Sequence, residues 1–170
     1  MTTGPGPKPV EVKITVTLYK DRHRVGVLTV TVPSDPGAMS VTCPCLGISD
    51  NSQAIAHGNP SRNSLKPYGD TPTGVYLGTV IPPGDADGYG VNRRLFLTPV
   101  SGDGVKAESA PNNRAGLLVH GGRLNPVYTW WEGLRPTYGC VRVPDDGMGR
   151  VLKVIDSNVG AKVMVEVVEV

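Results

Sequence analysis

Residues 11–18 read EVKITVTL, and this stretch decides the fold class of the chain. Every second residue from position 12 onward is apolar, while those between are polar or charged, which is typical of a strand with one buried face. A polar break, KDRHR at residues 20–24, separates this run from a second one, VGVLTVTV at residues 25–32. The two runs predict a β-hairpin over residues 11–32, with the break as its solvated loop.

Shorter strand signals and one helix signal follow along the chain. Apolar runs predict further strands at residues 40–46, 74–80, 94–100, 116–120, 140–143 and 162–167. Apolar residues at helical spacing from position 148 to 155 predict one helix, capped by Asp145 or Asp146 and stopped near Gly160. We therefore expect a mainly β domain of about eight short strands, packed as two sheets with one helix in the C-terminal half.

The glycines and prolines indicate where the loops between the strands lie. The chain has 22 glycines and 16 prolines, and their density at residues 33–72 predicts long ordered loops there. Residues 1–10 are mostly Gly, Pro and Thr and predict a flexible leader or linker. Residues 11–170 are expected to form one domain, because the chain shows no internal repeat and no second domain signal.

Charge and hydropathy exclude two broad classes of protein. The chain has 17 basic and 15 acidic residues, a net charge of +2. No nucleic-acid partner is expected, because such a partner needs a dense basic face. No stretch approaches the roughly 18 apolar residues of a membrane span, and no hydrophobic leader follows Met1. We therefore expect neither a membrane span nor a signal peptide in the chain as written.

The segment between residues 117 and 143 carries the chemistry. His120 ends an apolar run before two glycines, and Cys140 follows Gly139 at the start of another run. A thiol becomes a useful nucleophile when a neighbouring imidazole removes its proton, and the amides of Gly139 and Cys140 can then face a developing oxyanion. The residues alone leave a second interpretation open, in which Cys140 is a buried small side chain and His120 a hydrogen-bonded polar one.

Two motifs around these residues resemble a known family. His120-Gly121 followed by TYGCVR at residues 137–142, together with GDTPTGVY at residues 69–76, is similar to the signature of the L,D-transpeptidase (YkuD-type) catalytic domain. The resemblance is specific over residues 70–143, whereas in the first 68 residues only the β-hairpin looks similar. It implies a YkuD-like β-sandwich of two mixed sheets with long loops.

The resemblance also implies roles for the motif residues. Cys140 takes the position of the family's nucleophile, and His120 that of the base that removes its proton. The family's histidine is oriented by a backbone carbonyl, which falls on Gly121. The amides of Gly139 and Cys140 are implied to form the oxyanion hole. Arg142 is implied to hold the strand's end at the site or to bind a substrate carboxylate.

The implied activity is cysteine-dependent acyl transfer on bacterial peptidoglycan, with no cofactor. Cys140 would attack the bond before the terminal D-alanine of a stem tetrapeptide, and the thioester would pass to a second stem as an L,D (3→3) cross-link or to a free D-amino acid. Water as acceptor would make the protein an L,D-carboxypeptidase. Two alternatives stay open: a secreted antibacterial effector with an immunity or delivery partner, and a non-catalytic wall-binding module.

The expected place of action follows from this substrate. Peptidoglycan lies in the bacterial periplasm or cell envelope, so we expect the protein to act there. No signal peptide is seen in the chain as written. Two export routes therefore stay open: a leader that has been removed, or a dedicated secretion apparatus.

A further set of residues is expected to bind substrate. Thr137 belongs to the motif, and so does Tyr138, which stands where many family members have a second histidine. Trp130 and Trp131 lie on a predicted loop, either as a lid or sugar-stacking wall or as core residues beneath it. Arg123 flanks the same loop, as a contact for a stem-peptide carboxylate or as a solvated charge.

The two other cysteines are not explained by the motif. Cys43 and Cys45 are separated by one residue, which is poor disulfide spacing, and no complete four-ligand zinc set accompanies them. We expect ordinary thiols, one buried and one exposed, and no metal site. Residues 85–88, DADG, are expected to form a turn and not a calcium loop.

Overall fold

The structure is a computed structural model that describes residue 4, residues 10–122 and residues 130–170. The predicted leader therefore lies outside the described residues except at residues 4 and 10. The strands are β1 (Glu11–Leu18), β2 (Gly26–Thr31), β3 (Val41–Cys45), β4 (Gly74–Ile81), β5 (Arg94–Ser101), β6 (Leu118–His120), β7 (Val141–Arg142) and β8 (Lys162–Glu169). The helices are α1 (Asn51–Ala56), α2 (Ala86–Tyr89), α3 (Asp103–Glu108) and α4 (Asp145–Asp156), and a 3₁₀ segment covers Trp130–Gly133. The predicted mainly β architecture is confirmed, with a strand at each predicted position.

The opening stretch of alternating residues forms the hairpin that it predicts. β1 and β2 pair antiparallel, with Lys13 opposite Thr31. Val12, Ile14 and Val16 are fully buried, because a period of two places them on one face of the sheet. The other edge of β1 pairs in parallel with β8 along its whole length, so the first and last strands of the chain are neighbours.

The eight strands belong to one mixed sheet and not to two separate sheets as expected. Their order is β3-β2-β1-β8-β4-β5-β6-β7. β8 pairs with both β1 and β4, and this double pairing joins the hairpin half to the half that carries β6 and β7. A bridge between Leu46, just after β3, and Arg142 in β7 then connects the two ends of the sheet.

The core lies where α4 packs on the sheet. Met148, Val151 and Leu152 of α4 are buried in one cluster with apolar side chains from both halves of the sheet. The helix begins after Pro144 without a side-chain cap, so the prediction that Asp145 or Asp146 caps it is wrong. Oδ1 of Asp145 instead accepts a hydrogen bond from the amide of Gly122. No helix in the described part of the chain combines the length and the apolar character needed to cross a membrane.

The break at residues 20–24 between β1 and β2 is exposed, as predicted, except at Arg22. Arg22 is only 7% exposed, because its guanidinium reaches back to the sheet. Its Nη2 donates to the carbonyl of Thr71 at 3.2 Å, and its Nη1 lies 2.8 Å from the carboxylate of Glu169. The hairpin loop is therefore tied to the segment that precedes β4.

Residues 33–72 are ordered loop with two short elements, β3 and α1. The helix was not predicted, and it starts where the side chain of Asp50 accepts from the amide of Gln53 at 2.9 Å. Farther along, the buried side chain of Asn59 donates to the carbonyls of Asn63 and Pro67. Hydrogen bonds from side chain to backbone thus replace a sheet ladder in holding this segment.

Candidate active site

The predicted nucleophile and base line one cleft of about 1350 Å³. β6 and β7 are parallel neighbours, with His120 opposite Arg142 in the register. Because side chains alternate along paired strands, this register directs His120 toward the side on which Cys140, two residues before Arg142, also lies. Both side chains border the cleft, so residues 20 positions apart in sequence are brought together by one strand pairing.

His120 is buried, and its ring is fixed by a backbone carbonyl. Nδ1 lies 2.5 Å from the carbonyl oxygen of Gly121, and since a carbonyl only accepts, Nδ1 carries the hydrogen and Nε2 the lone pair. Burial lowers the pKa of His120 to about 4, while the bond to Gly121 acts in the opposite direction and Arg142 and Arg94 lower it further. The imidazole is therefore neutral at pH 7, which is the form that can accept a proton.

The two glycines after His120 allow a close approach to α4. A Cβ on Gly121 would lie 2.2 Å from Oδ1 of Asp145, and Gly122 has φ of +149°. The amide of Gly122 donates to the same Oδ1 at 3.0 Å. On the other side, the ring of Tyr89 meets His120 edge-on at 4.9 Å between centroids. The Gly121–Gly122 peptide, whose carbonyl orients His120, is thus bound to Asp145 of α4. The imidazole packs against Tyr89 of α2.

Cys140 is partly exposed to the cleft and is a free thiol. Its Sγ lies 3.7 Å from the carbonyl oxygen of Gly116. Burial raises the pKa of the Cys140 thiol, whereas the amide of Leu118 and the guanidinium groups of Arg114 and Arg142 act to lower it. The net direction is upward, so the thiol of Cys140 and the imidazole of His120 are both neutral in the resting site and do not form a preformed ion pair.

The three carbonyls leading into β7 are each hydrogen-bonded by a side chain. That of Tyr138 accepts from Nη2 of Arg114 at 3.4 Å, that of Gly139 lies 2.6 Å from Oγ1 of Thr71, and that of Cys140 lies 2.8 Å from Oγ1 of Thr137. These three hydrogen bonds restrain the conformation of the turn that carries Cys140.

The turn requires glycine at position 139. Its φ is +111°, and a Cβ would lie 1.8 Å from Nη2 of Arg114 and 2.4 Å from the carbonyl oxygen of Gly69. Its amide donates to Oγ1 of Thr137 at 3.0 Å. The expectation that this amide serves an oxyanion hole is therefore corrected, because its hydrogen is engaged inside the turn. The amide of Cys140 is the other member of the expected hole.

Arg114 is a part of the site that the sequence analysis missed. It is 5% exposed and donates to the carbonyls of Gly69 at 2.7 Å and Asp70 at 2.8 Å, as well as to those of Ser64 and Tyr138. Burial lowers the pKa of Arg114, but an arginine stays protonated over the physiological range. A fixed positive charge therefore lies against the turn that carries Cys140. A lone arginine in a polar loop gave no sequence signal for this role.

Arg142 holds the walls of the site together. Its Nε donates to the carbonyl of Arg135 at 2.8 Å, and its Nη1 to those of Gly88 at 3.0 Å and Gly121 at 3.1 Å. Of the two roles implied for Arg142, these bonds correspond to holding the strand's end. The carbonyl of Gly121 thus accepts from both His120 and Arg142.

Some of the expected substrate-binding residues line the cleft, and others lie outside the described residues. Thr137, Tyr138 and Trp131 line the cleft with the catalytic candidates, and Nε1 of Trp131 donates to the carbonyl of His23 at 2.7 Å. Arg123 lies outside the described residues, and so does the side chain of Trp130.

An aromatic cluster that was not expected from the sequence borders the cleft through Tyr68 and Tyr138. The rings of His57 and Tyr68 stack at 3.7 Å between centroids, 5° from parallel. The ring of Tyr138 meets Tyr68 at 5.5 Å and is 59% exposed. Tyr68 has φ of +62°, a conformation that costs free energy in a non-glycine residue and that the surrounding contacts must stabilise.

Cys43 and Cys45 lie away from this chemistry. Both are buried on β3, so the expectation of one exposed thiol is wrong. Burial raises the pKa of Cys43 and of Cys45, which leaves both protonated and unreactive at neutral pH. No group of three or more metal-ligating side chains occurs among the residues that the structure describes. Residues 85–88 begin α2, with Asp85 as its N-cap.

Comparison with known proteins finds a shared fold and no close relative. A mutant of the helical cell shape determining protein Pgp2 from Campylobacter jejuni aligns with a TM-score of 0.50 and 16% identity, covering 95% of this chain and 48% of that one. The unmutated protein aligns with a TM-score of 0.48 and 16% identity, covering 95% and 49%. The chain thus spans about half the length of these structures, and at this identity the likeness shows the fold alone. No family model and no curated protein matches the chain.

Proposed function

We propose that this protein is a cysteine-dependent acyltransferase of the L,D-transpeptidase (YkuD-type) family, acting on peptidoglycan stem tetrapeptides at the cell envelope. The observation that carries the proposal is a single cleft lined by Cys140 and by a neutral His120 whose Nδ1 is fixed by the carbonyl of Gly121. That arrangement leaves Nε2 as a base in the cleft that Cys140 borders.

In the first half-reaction, Nε2 of His120 takes the thiol proton as Sγ of Cys140 attacks the carbonyl of the dibasic residue that precedes D-alanine. Because the resting pair is neutral, proton transfer accompanies the attack. The amide of Cys140 donates to the oxyanion of the tetrahedral intermediate. The C–N bond then breaks, His120 returns its proton to the leaving amine, and D-alanine departs to leave a thioester on Cys140.

The second half-reaction reverses the proton path. An amine from another stem loses its proton to His120 and attacks the thioester, which gives an L,D (3→3) cross-link and restores the thiol. Water in that position gives carboxypeptidase action, and a free D-amino acid gives exchange. These outcomes share the same catalytic residues and differ only in the acceptor.

The substrate-binding part of the proposal follows the cleft walls. Tyr138 and Trp131, which both line the cleft, are proposed to contact a bound stem, and Thr137 supports the turn that carries Cys140. Arg123 and Trp130 are kept as proposed contacts from the sequence alone. Arg142 is proposed to act by holding the carbonyls of Gly121 and its neighbours.

Mass spectrometry of purified disaccharide-tetrapeptide tests the activity. Incubation with the wild-type chain should release D-alanine. The remaining stem should appear either as a hydrolysed tripeptide or as part of a linked dimer. Cys140→Ala should abolish both products, and His120→Ala should lower the rate by about 10²–10⁴-fold, the usual contribution of a general base. The proposal is rejected if the wild type and Cys140→Ala yield the same spectrum.

A further inference from the structure

Thr71 makes an unusual long-range contact with the nucleophile turn. Its side chain is fully buried, and its Oγ1 lies 2.6 Å from the carbonyl oxygen of Gly139, 68 residues away in the chain. Oγ1 also lies 3.2 Å from the carbonyl of Gly47, but that carbonyl already accepts from the amide of Thr71 at 2.9 Å. Since a hydroxyl has one hydrogen to donate, the shorter contact identifies Gly139 as its acceptor.

The position of Thr71 is fixed by its own backbone. Its amide bonds to Gly47, and its carbonyl accepts from Nη2 of the buried Arg22 at 3.2 Å. Three residues farther on, β4 begins, and the hydroxyl of its Tyr76 donates back to the carbonyl of Pro72 at 2.7 Å. The hydroxyl of Thr71 is therefore a rigid donor and not a mobile surface group.

The carbonyl of Gly139 and the amide of Cys140 belong to the same peptide group. In a planar trans peptide the C=O and N–H bonds point in opposite directions, so fixing the oxygen also fixes where the N–H points. Glycine offers little resistance to rotation of the peptide that follows it. A hydrogen bond to the carbonyl also polarises the peptide and strengthens its N–H as a donor.

We propose that Thr71 is a positioning residue, whose hydroxyl locks the Gly139–Cys140 peptide so that the Cys140 amide faces the oxyanion. The inference rests on the proposed function, because it presumes that a tetrahedral oxyanion forms at Cys140. The inference gives Thr71, the first threonine of the 69–76 motif, a chemical role. Thr71 acts through the Gly139–Cys140 peptide and does not touch the substrate.

Two reactions at the same thiol test this role. Acylation of Cys140, by p-nitrophenyl acetate or by a carbapenem, passes through an oxyanion, whereas alkylation by iodoacetamide does not. Thr71→Ala removes the hydroxyl and leaves no group against the carbonyl of Gly139. Thr71→Val also removes the hydroxyl but puts a methyl group against that carbonyl. Thr71→Ser restores the hydroxyl, and Thr73→Val is a matched change two residues along the same segment.

Thr71→Ala should slow acylation by about 10- to 100-fold, below the full loss of an oxyanion-hole donor, and leave alkylation within about twofold of wild type. Thr71→Ser should recover most of the acylation rate, and Thr73→Val should retain it. Unchanged alkylation, with an unchanged circular dichroism spectrum, shows that the variant is folded. If Thr71→Ala acylates as fast as wild type, or loses both reactions equally, the inference is overturned.

Failure of the proposed function looks different. In that case wild-type Cys140 reacts with iodoacetamide but not with either acylating reagent. That result removes the oxyanion chemistry and the role of Thr71 with it. If Thr71→Ala fails to fold, Thr71→Val decides by the same two rates: slowed acylation with retained alkylation supports the role of the hydroxyl, and acylation reduced in parallel with alkylation contradicts it.

Discussion

At the scale of single residues, one buried positive charge acts on the reactivity of the Cys140 thiol. Arg114 is buried, and its positive charge lowers the pKa of Cys140 against the upward effect of burial. Arg114→Met should therefore move the midpoint of the pH–rate profile for iodoacetamide alkylation to higher pH and slow the reaction at pH 7.5. The profile reports on Cys140, because Cys43 and Cys45 are buried.

Two further variants separate charge from position. Arg114→Lys keeps a positive charge but loses the four carbonyl contacts, so its midpoint should stay closer to that of wild type while its stability falls. Arg135→Met removes an exposed charge that also lines the cleft, and its midpoint should not change. Equal midpoints for Arg114→Met and wild type would contradict an electrostatic role for Arg114.

At the scale of elements, the turn before β7 depends on one glycine. Gly139→Ala forces a Cβ to within 1.8 Å of Arg114 and requires φ of +111°, so the turn must open or the arginine must leave. We expect a loss of about 3–4 kcal/mol in the free energy of unfolding, in the range of strongly strained core substitutions, measured by urea denaturation.

The same substitution in α4 is the matched control. Gly149 is a helical residue with only Asn92 near a built Cβ, at 3.9 Å. Gly149→Ala should raise the free energy of unfolding by about 0.5–1 kcal/mol, because alanine has the higher helix propensity. A loss below about 1 kcal/mol for Gly139→Ala would show that the turn relaxes and that its hydrogen bonds do not restrain it.

The elements differ in how far the sequence predicts them, for physical reasons. β1 and α4 follow from apolar periods of two and 3.6 residues, because each buries one face on the core. α1 has no such period, since it is held by Asp50 at its start and by loop contacts. Arg114 and Thr71 contribute through side-chain hydrogen bonds to carbonyls that are distant in the sequence, and no local pattern encodes such contacts.

At the scale of the whole molecule, the topology of the sheet brings the two motifs together. The single sheet was not predicted, because pairing between β8 and both β1 and β4 is a long-range choice that strand periodicity does not specify. His120 and Cys140 were predicted as a pair from the motif. His120 is buried opposite Arg142, the residue through which the sheet closes on Leu46.

That burial makes the stability of the whole fold depend on pH through His120. Its pKa is about 4 in the folded protein, against 6.5 for an unperturbed histidine. Between these values the unfolded chain binds a proton that the folded chain does not, so stability is intact above pH 6.5 and is lost as the pH falls toward 4. The loss attributable to this residue is on the order of 3 kcal/mol.

The comparison with His120→Asn isolates this contribution from those of the carboxylates, which both chains share. An asparagine amide can still donate to the carbonyl of Gly121 but does not titrate. Urea denaturation from pH 7.5 to 4 should therefore give a steeper fall in the free energy of unfolding for wild type than for His120→Asn, even if the variant is less stable at pH 7.5. Parallel curves would mean that His120 becomes protonated in the folded state at its ordinary pKa, and a histidine so exposed to solvent would not be the buried, neutral base that the proposed mechanism requires.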